Sequence, residues 1–205
     1  ALSATWGWRD PSAAIRFVPE EYAVVTEPRD DTDLDLRADE SAGIAGQIFT
    51  NNIRVTFFAF AGGITLGVLT GYVLVFNGML LGTLTGLAIG AGNGDAFMAL
   101  VLPHGLLELS CIVVAGVAGL RMGWAVIAPG HRRRVEVLQQ EARAAAELAL
   151  GTAAWLVLAG LVEGFITPLG LPTAAAFAVG ATLAAAYWAL AVFRGGPGPS
   201  AAGTH

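Results

Sequence analysis

The residues that could do chemistry in this chain are few, and they lie in or beside long apolar segments. Glu108 and Glu163 each interrupt an apolar run, and His104 precedes Glu108 by four positions, so both share one face if a helix extends that far. Arg54 follows Asn52 at the start of another apolar run. Charged groups inside a membrane-spanning segment are energetically costly, and by default they mark a candidate functional site.

We predict that these groups meet in the outer leaflet as one set, the predicted outer cluster: Asn52, Arg54, His104, Glu108 and Glu163. Three interpretations remain open. The set is an ion-pair and hydrogen-bond network that fixes helix register, with Arg54 neutralising one carboxylate, or a site for a partner protein or lipid headgroup. Otherwise it is a metal or acid–base site, since one His and two carboxylates could ligate zinc.

The spacing of His104 and Glu108 is a weak metal signal, and no second His lies within a predicted span. We therefore expect no metal or cofactor and assign no catalytic residue. Asn77 and Arg121 are expected toward the inner side of the membrane, where the long Arg side chain can reach the interface. Cys111 is expected to be a small core residue, because no His is placed to activate it.

The composition identifies the class of protein. Of 205 residues, 55% are hydrophobic and only 13% are charged, whereas soluble domains contain about a quarter charged residues. Mean hydropathy is +0.65 and net charge is −5, with Arg as the only basic residue besides His. These values exclude a disordered, collagen-like or nucleic-acid-binding chain. The single Cys excludes a disulfide framework and any multi-Cys metal centre.

The apolar runs predict an all-α polytopic transmembrane bundle. Residues 55–94 carry no charge, which is more than the roughly 20 residues that one span requires. We place helix breaks at Phe76-Asn77-Gly78, at Pro103-His104-Gly105 and at Pro129-Gly130. Whether the second segment crosses the membrane or is re-entrant stays open. The chain then has about five spans, at 53–76, 78–92, 105–127, 147–167 and 172–193.

Charge predicts the domain organisation and the orientation. Residues 1–50 contain ten acidic residues and four Arg, and we expect them to form an acidic extracytoplasmic segment. Residues 51–194 form the bundle, and residues 195–205 form a flexible Gly/Pro-rich tail. Arg132-Arg133-Arg134 places the loop 128–146 and the C-terminus in the cytoplasm. A chain that starts outside needs an earlier signal or span, so we expect a preceding span that this sequence lacks.

Small residues recur at four-residue intervals, which lets helix backbones approach closely in lipid. The simplest interpretation is packing within the bundle, and the alternative is a contact with a second copy or a partner protein. The predicted packing glycines are Gly67 and Gly71 on the first span, Gly78, Gly82, Gly86 and Gly90 on the second, and Gly119 and Gly123 on the third.

Five motifs, in order and covering about residues 49–170, resemble the stage II sporulation protein M family. They are Asn51-Asn52-Ile53-Arg54-Val55, Phe76-Asn77-Gly78 with Leu81-Gly82, Pro103-His104-Gly105-Leu106-Leu107-Glu108-Leu109, Ala118-Gly119-Leu120-Arg121, and Ala159-Gly160-Leu161-Val162-Glu163-Gly164-Phe165-Ile166-Thr167-Pro168. The resemblance implies a bacterial or archaeal multi-span membrane protein whose sporulating members serve as scaffolds for peptidoglycan-degrading partners.

Three functions follow as hypotheses. The first is a non-enzymatic membrane scaffold that holds envelope-acting partner proteins through its glycine-striped helices and the predicted outer cluster. Its expected contacts are membrane lipid and membrane or envelope proteins, or a second copy of the chain, but no nucleic acid. The second is an intramembrane metal-dependent hydrolase that uses His104, Glu108 and Glu163. The third is a small transporter or channel, because interrupted helices often line substrate sites.

Overall fold

The computed structural model describes residues 1–26 and 38–194, and every regular element in those ranges is helical. Short 3-10 segments occupy Ile15–Phe17, Glu20–Thr26, Gly62–Thr65 and Thr167–Leu169. The α-helices are α1 (Leu2–Arg9), α2 (Pro11–Ala14), α3 (Ala38–Ala61), α4 (Val68–Gly90), α5 (Gly94–Ile127), α6 (Arg134–Phe165) and α7 (Thr173–Arg194).

Within the described ranges, four helical segments are long and apolar enough to cross a membrane: Val68–Gly90, Gly94–Ile127, Arg134–Leu169 and Thr173–Phe193. Helix α5 is central and packs against α3, α4, α6 and α7. Neighbouring long helices alternate in direction, so that α3, α5 and α7 run one way and α4 and α6 run the other. The predicted all-α membrane bundle is confirmed, and α3 adds a fifth long helix of 24 residues.

The first predicted break is wrong. Residues 76–78 lie within the unbroken α4, where the Asn77 side chain donates a hydrogen bond to the Val73 carbonyl oxygen of its own helix, 2.8 Å away. The chain instead turns between Ala61 and Val68, where Leu66 and Gly67 both have positive φ. Glycine tolerates that conformation without strain, and this turn separates α3 from α4.

The second predicted break is also wrong, because α5 continues through Pro103. Proline removes one backbone donor, and neighbouring helices in a membrane bundle can accommodate that local loss. The 34 residues of α5 span about 51 Å, which exceeds the roughly 30 Å of bilayer hydrocarbon. Helix α6 likewise runs unbroken from Arg134, so that the polar stretch before residue 147 continues into the fourth predicted span.

The connections divide the bundle into two ends. The α3–α4 turn lies against Gly123 of α5, which ends four residues later at Ile127. The α5–α6 connection, which contains Arg132 and Arg133, follows directly, and we call this the arginine end. The other end carries the α4–α5 and α6–α7 connections, where the Thr173 hydroxyl contacts the Asp95 carbonyl oxygen. We call this the opposite end.

The predicted domain boundary at residue 50 falls inside α3, which runs from Ala38 to Ala61. The start of the chain packs on α4, where Ala14 and Val18 share a hydrophobic cluster with Leu87 and Phe97. Residues 1–26 are therefore part of the helical packing. The acidic residues between 27 and 37, and the predicted tail at 195–205, lie outside the described residues.

Candidate functional site

Five polar side chains from four parts of the chain meet inside the bundle. Asn52 comes from α3, His104 and Glu108 from adjacent turns of α5, Glu163 from the end of α6, and Thr167 from the α6–α7 connection. We call this set the carboxyl cluster. The exposed fractions of His104 and Glu108 are 1% each, and that of Glu163 is 2%.

The contacts within the carboxyl cluster form two groups, one between Asn52 and Glu108 and one around His104. The Asn52 side-chain amide donates a hydrogen bond to Glu108 Oε2. His104 Nδ1 lies 3.4 Å from Thr167 Oγ1, and His104 Nε2 lies 3.9 Å from Glu163 Oε1. The second distance allows an ion pair but is longer than a hydrogen bond. The imidazole therefore lies between a hydroxyl group and a carboxylate.

Both carboxylates are only partly satisfied. Glu108 Oε1 and Glu163 Oε2 are buried and have no hydrogen-bond partner. A buried polar atom without a partner carries a substantial desolvation penalty, and an ionised carboxylate carries a larger one. The carboxyl cluster thus places two incompletely hydrogen-bonded carboxyl groups at a buried position.

Arg54 does not join this cluster, so the predicted neutralisation of a carboxylate by Arg54 is wrong. Its side chain is exposed, and the ion pairs of the described residues do not connect it to Glu108 or Glu163. Two residues along a helix correspond to a rotation of about 200°, so Asn52 and Arg54 point to nearly opposite sides of α3. The structure brings together the other four predicted residues.

The sequence analysis missed Thr167, although it lies next to Pro168 in a motif that was recognised. Helix periodicity could not predict that Thr167 contacts His104, because Thr167 lies after the end of α6. It reaches His104 only after the chain turns. A second buried polar contact was also missed. Thr152 Oγ1 lies 3.2 Å from the Tyr187 hydroxyl, which links α6 to α7, and the Cys111 thiol faces the Thr152 carbonyl oxygen.

The carboxyl cluster does not have the spacing of a metal centre. In the parts of the chain that the structure describes, no three His, Cys, Asp or Glu side chains are grouped closely enough to hold a metal ion. The arrangement therefore lends no support to the metal-dependent hydrolase. Cys111 is buried, as expected.

The two residues predicted toward the inner side have separate surroundings. Arg121 lies near the arginine end of α5 and pairs with Glu141 of α6, with Arg121 Nη2 3.0 Å from Glu141 Oε2. The side chains are 59% and 26% exposed, so this pair lies at the surface of the bundle. Asn77 lies near the middle of α4 and bonds to its own helix.

Most of the predicted packing glycines contact other parts of the same chain. Three of those in α4 meet α1: a Cβ atom on Gly86 would overlap the Ala4 carbonyl oxygen, and Gly82 and Gly90 face Ser3 and Trp8. Gly119 and Gly123 of α5 lie against Ala59 and the Leu66–Gly67 backbone, respectively, and Gly67 lies against Leu120. Gly71 and Gly78 have no atom within 4 Å of an added Cβ.

Comparisons with known proteins agree with this architecture. A family model described as stage II sporulation protein M matches residues 12–168, which includes every member of the carboxyl cluster. An uncharacterised protein of Methanocaldococcus jannaschii is 33% identical over 124 residues, covering 59% of this chain and 69% of the archaeal protein. No solved structure matches the chain. The family match ends before α7 begins.

Proposed function

Because this chain belongs to the stage II sporulation protein M family, as its motifs indicated, we propose that it is a multi-pass membrane scaffold. In this role it holds envelope-acting partner proteins at the membrane and does not itself catalyse a reaction. The observation that carries the proposal is the outer face of α7, where a stripe of small side chains has no partner within the described bundle.

Helix α7 lies at the margin of the bundle. It packs on α5 through Gly180, where an added Cβ atom would overlap the Leu102 carbonyl oxygen, and contacts α6 through Tyr187. In its most apolar stretch 17% of the residues are buried, compared with 44% in α5. Most of its surface is therefore available to lipid or to another protein.

Between Ala174 and Ala189, one exposed face of α7 consists only of small residues. Each residue of an α-helix is rotated by about 100° around the helix axis from the one before it. On this basis the positions of these small residues fall within about 80°, and so they form a continuous stripe. Contact with lipid does not require small side chains, whereas close helix–helix contact does. This stripe therefore suits a partner helix. Its members are Ala174, Ala178, Thr182, Ala185 and Ala189, all of them exposed.

The glycines of α4 are poorer candidates for a partner contact. Gly82 and Gly86 already lie against α1 of the same chain, so another helix could reach them only by displacing α1. The partner site that we propose is therefore on α7, and Gly82 and Gly86 serve the packing of this chain. Since the family match ends before α7, this contact is proposed for this protein and not for the whole family.

We also propose that the arginine end faces the cytoplasm. Arg132, Arg133 and Arg134 lie in or beside the short α5–α6 connection, and positively charged residues next to spans favour the cytoplasmic side. The C-terminal end of α7 is then cytoplasmic. The opposite end, which includes Thr167 of the carboxyl cluster in the α6–α7 connection, then faces the cell exterior.

The test is native mass spectrometry of the protein extracted gently from its own membranes. We expect a second protein bound in a fixed ratio, and we expect Ala178→Leu and Ala185→Leu to remove it, because a larger side chain separates closely packed helices. Ala153→Leu is the matched control. It places the same side chain at an exposed position of α6, outside the stripe, and should leave the complex intact.

Three results would overturn the scaffold proposal. In the first, the wild-type protein is released from native membranes alone under conditions that preserve other membrane complexes. In the second, a partner is bound but its yield is unchanged by both α7 substitutions, which would place the contact elsewhere. A second copy of the chain as the sole partner would also contradict a role in holding envelope proteins.

A further inference from the structure

The carboxyl cluster contains more negative charge than the described bundle neutralises. Glu108 and Glu163 are almost fully buried, each has one oxygen atom without a partner, and Arg54 points away from both. The sequence contains no Lys, and Arg121 pairs with Glu141 nearer the arginine end. Two ionised carboxylates so deeply buried would carry a large desolvation penalty.

A bound proton removes the negative charge of the carboxyl group that takes it. A protonated carboxyl group is also a hydrogen-bond donor, whereas an ionised one only accepts. Protonation of either group therefore lowers the charge buried in the carboxyl cluster. Asn52 already donates to Glu108 Oε2, so the unpartnered Oε1 remains available for this proton.

The surroundings of His104 provide a route to this pair. Its two ring nitrogens face different groups, Nδ1 toward Thr167 Oγ1 at 3.4 Å and Nε2 toward Glu163 Oε1 at 3.9 Å. Thr167 is half-buried in the α6–α7 connection, and the next residues, Pro168 to Gly170, are exposed. A shift of about 1 Å brings Nε2 within hydrogen-bond distance of the carboxylate.

We propose that Glu108 and Glu163 form a proton-binding site within the membrane, which exchanges its proton with the opposite end of the bundle through His104 and Thr167. In the uptake step, His104 starts as the neutral tautomer with its proton on Nε2, accepts a second proton at Nδ1 from a hydronium ion beside Thr167, and releases the Nε2 proton to the Glu163 carboxylate. The hydronium ion becomes water, the imidazole ends neutral with its proton on Nδ1, and one carboxylate becomes a carboxylic acid. This inference is independent of the partner-binding role of α7.

The groups around the pair support a proton as the ligand. Helix α3 presents the neutral Asn52, α5 presents His104 and the buried Cys111 one turn from Glu108, and the α6–α7 connection presents Thr167. The nearest titratable group of α7 is Tyr187, which bonds to Thr152. In the described ranges, these side chains do not provide the grouped ligands that a metal ion requires.

Infrared spectroscopy of the full chain in lipid nanodiscs tests the proposal. We expect the carbonyl stretch of a protonated carboxylic acid at neutral pH, shifted on transfer to deuterated water. Glu108→Gln and Glu163→Gln should alter or remove this band, and an amide of the same shape resembles the protonated acid, so both variants should fold. Glu141→Gln is the matched control, because Glu141 pairs with Arg121 near the arginine end, and it should leave the band unchanged.

The wild-type spectrum alone can overturn the proposal, even if a variant fails to fold. If both buried carboxyl groups show only the bands of ionised carboxylate at neutral pH, no proton is bound there. A band that survives both Glu→Gln substitutions belongs to another group and also contradicts the assignment. If sodium, magnesium or zinc ions change the carboxylate bands and raise the unfolding temperature of the wild type but not of Glu108→Gln, the site binds a metal cation instead.

The route through His104 has its own readout. We expect His104→Gln to retain the carboxylic acid band but to slow its shift in deuterated water by at least about tenfold, since a positioned proton-transfer group accelerates transfer by about 10²- to 10⁴-fold. Thr167→Val should slow the shift in the same direction. A purely structural role would alter stability without this selective slowing, so unchanged exchange in both variants would exclude the route.

Discussion

Gly63, in the turn between α3 and α4, lies so close to Gly119 of α5 that a Cβ atom on Gly63 would overlap the Gly119 carbonyl oxygen. This contact joins the α3–α4 turn to the central helix. On the other side of the turn, Thr70 Oγ1 donates a hydrogen bond to the Ala59 carbonyl oxygen at 2.8 Å. The turn between α3 and α4 is thus held by packing against α5 and by a hydrogen bond from α4 to α3.

We expect Gly63→Ala to lower the free energy of unfolding by about 1 to 3 kcal/mol, because the added methyl group overlaps backbone atoms that cannot rotate away. The measurement is the unfolding equilibrium of the purified protein in mixed detergent. Gly71→Ala is the control, since nothing lies within 4 Å of its added Cβ. Equal losses for the two variants would show that the Gly63–Gly119 contact is not tight.

We expect Asn52→Ala to destabilise the protein by about 1 to 3 kcal/mol, because it leaves Glu108 with no hydrogen-bond donor. Asn77→Ala provides the comparison: the Asn77 amide bonds only to a carbonyl of its own helix, so its removal should cost less. Unfolding in mixed detergent measures both. If Asn77→Ala proves the more damaging change, the bond between Asn52 and Glu108 is not important for stability.

We expect Gly86→Leu to release α1 from α4, since even a Cβ atom at this position would overlap the α1 backbone. Release exposes the peptide bonds after Arg9 and Arg16 to trypsin, so limited proteolysis in nanodiscs should cut there faster. Gly78→Leu adds the same side chain to α4 where no atom lies within 4 Å of the Cβ. Its cleavage rate should equal that of the wild type, and a similar increase in both variants would refute the assigned position of α1.

We expect Tyr187→Phe to lower the free energy of unfolding by about 0.5 to 1.5 kcal/mol, because it removes the bond between the Tyr187 hydroxyl and Thr152 and leaves a buried hydroxyl group. Tyr72→Phe removes the same atom from a side chain that is 62% exposed and should have little effect. Thermal unfolding of both variants measures the two losses of stability. A neutral Tyr187→Phe would mean that this bond does not hold α6 to α7.

The sequence alone predicted the class of fold, because helices that cross lipid need long apolar segments. These segments remain recognisable even where short loops and a few charged residues interrupt them. It also grouped Asn52, His104, Glu108 and Glu163 as one set. A polar residue within an apolar segment can be recognised from the sequence even when the residues that it contacts are unknown. The directions of the long helices followed from the short connections between them.

The positions of the breaks could not be predicted from residue type. Asn77-Gly78 and Pro103 are turn formers in water, yet both lie within helices here, because lipid favours an unbroken set of backbone hydrogen bonds. The turn at Leu66 and Gly67 is favoured by a close contact with α5, which depends on residues more than fifty positions away.

The sequence by itself determined that this is a helical membrane protein of a recognisable family, with small-residue stripes and costly carboxyl groups in its spans. Only the tertiary structure decided which surfaces those stripes meet, with α1 covering Gly86 and the outer face of α7 left exposed. It also decided that Arg54 points away from Glu108 while Thr167 reaches His104. Periodicity specifies a face within one helix, but the neighbour of that face depends on how all the helices pack together.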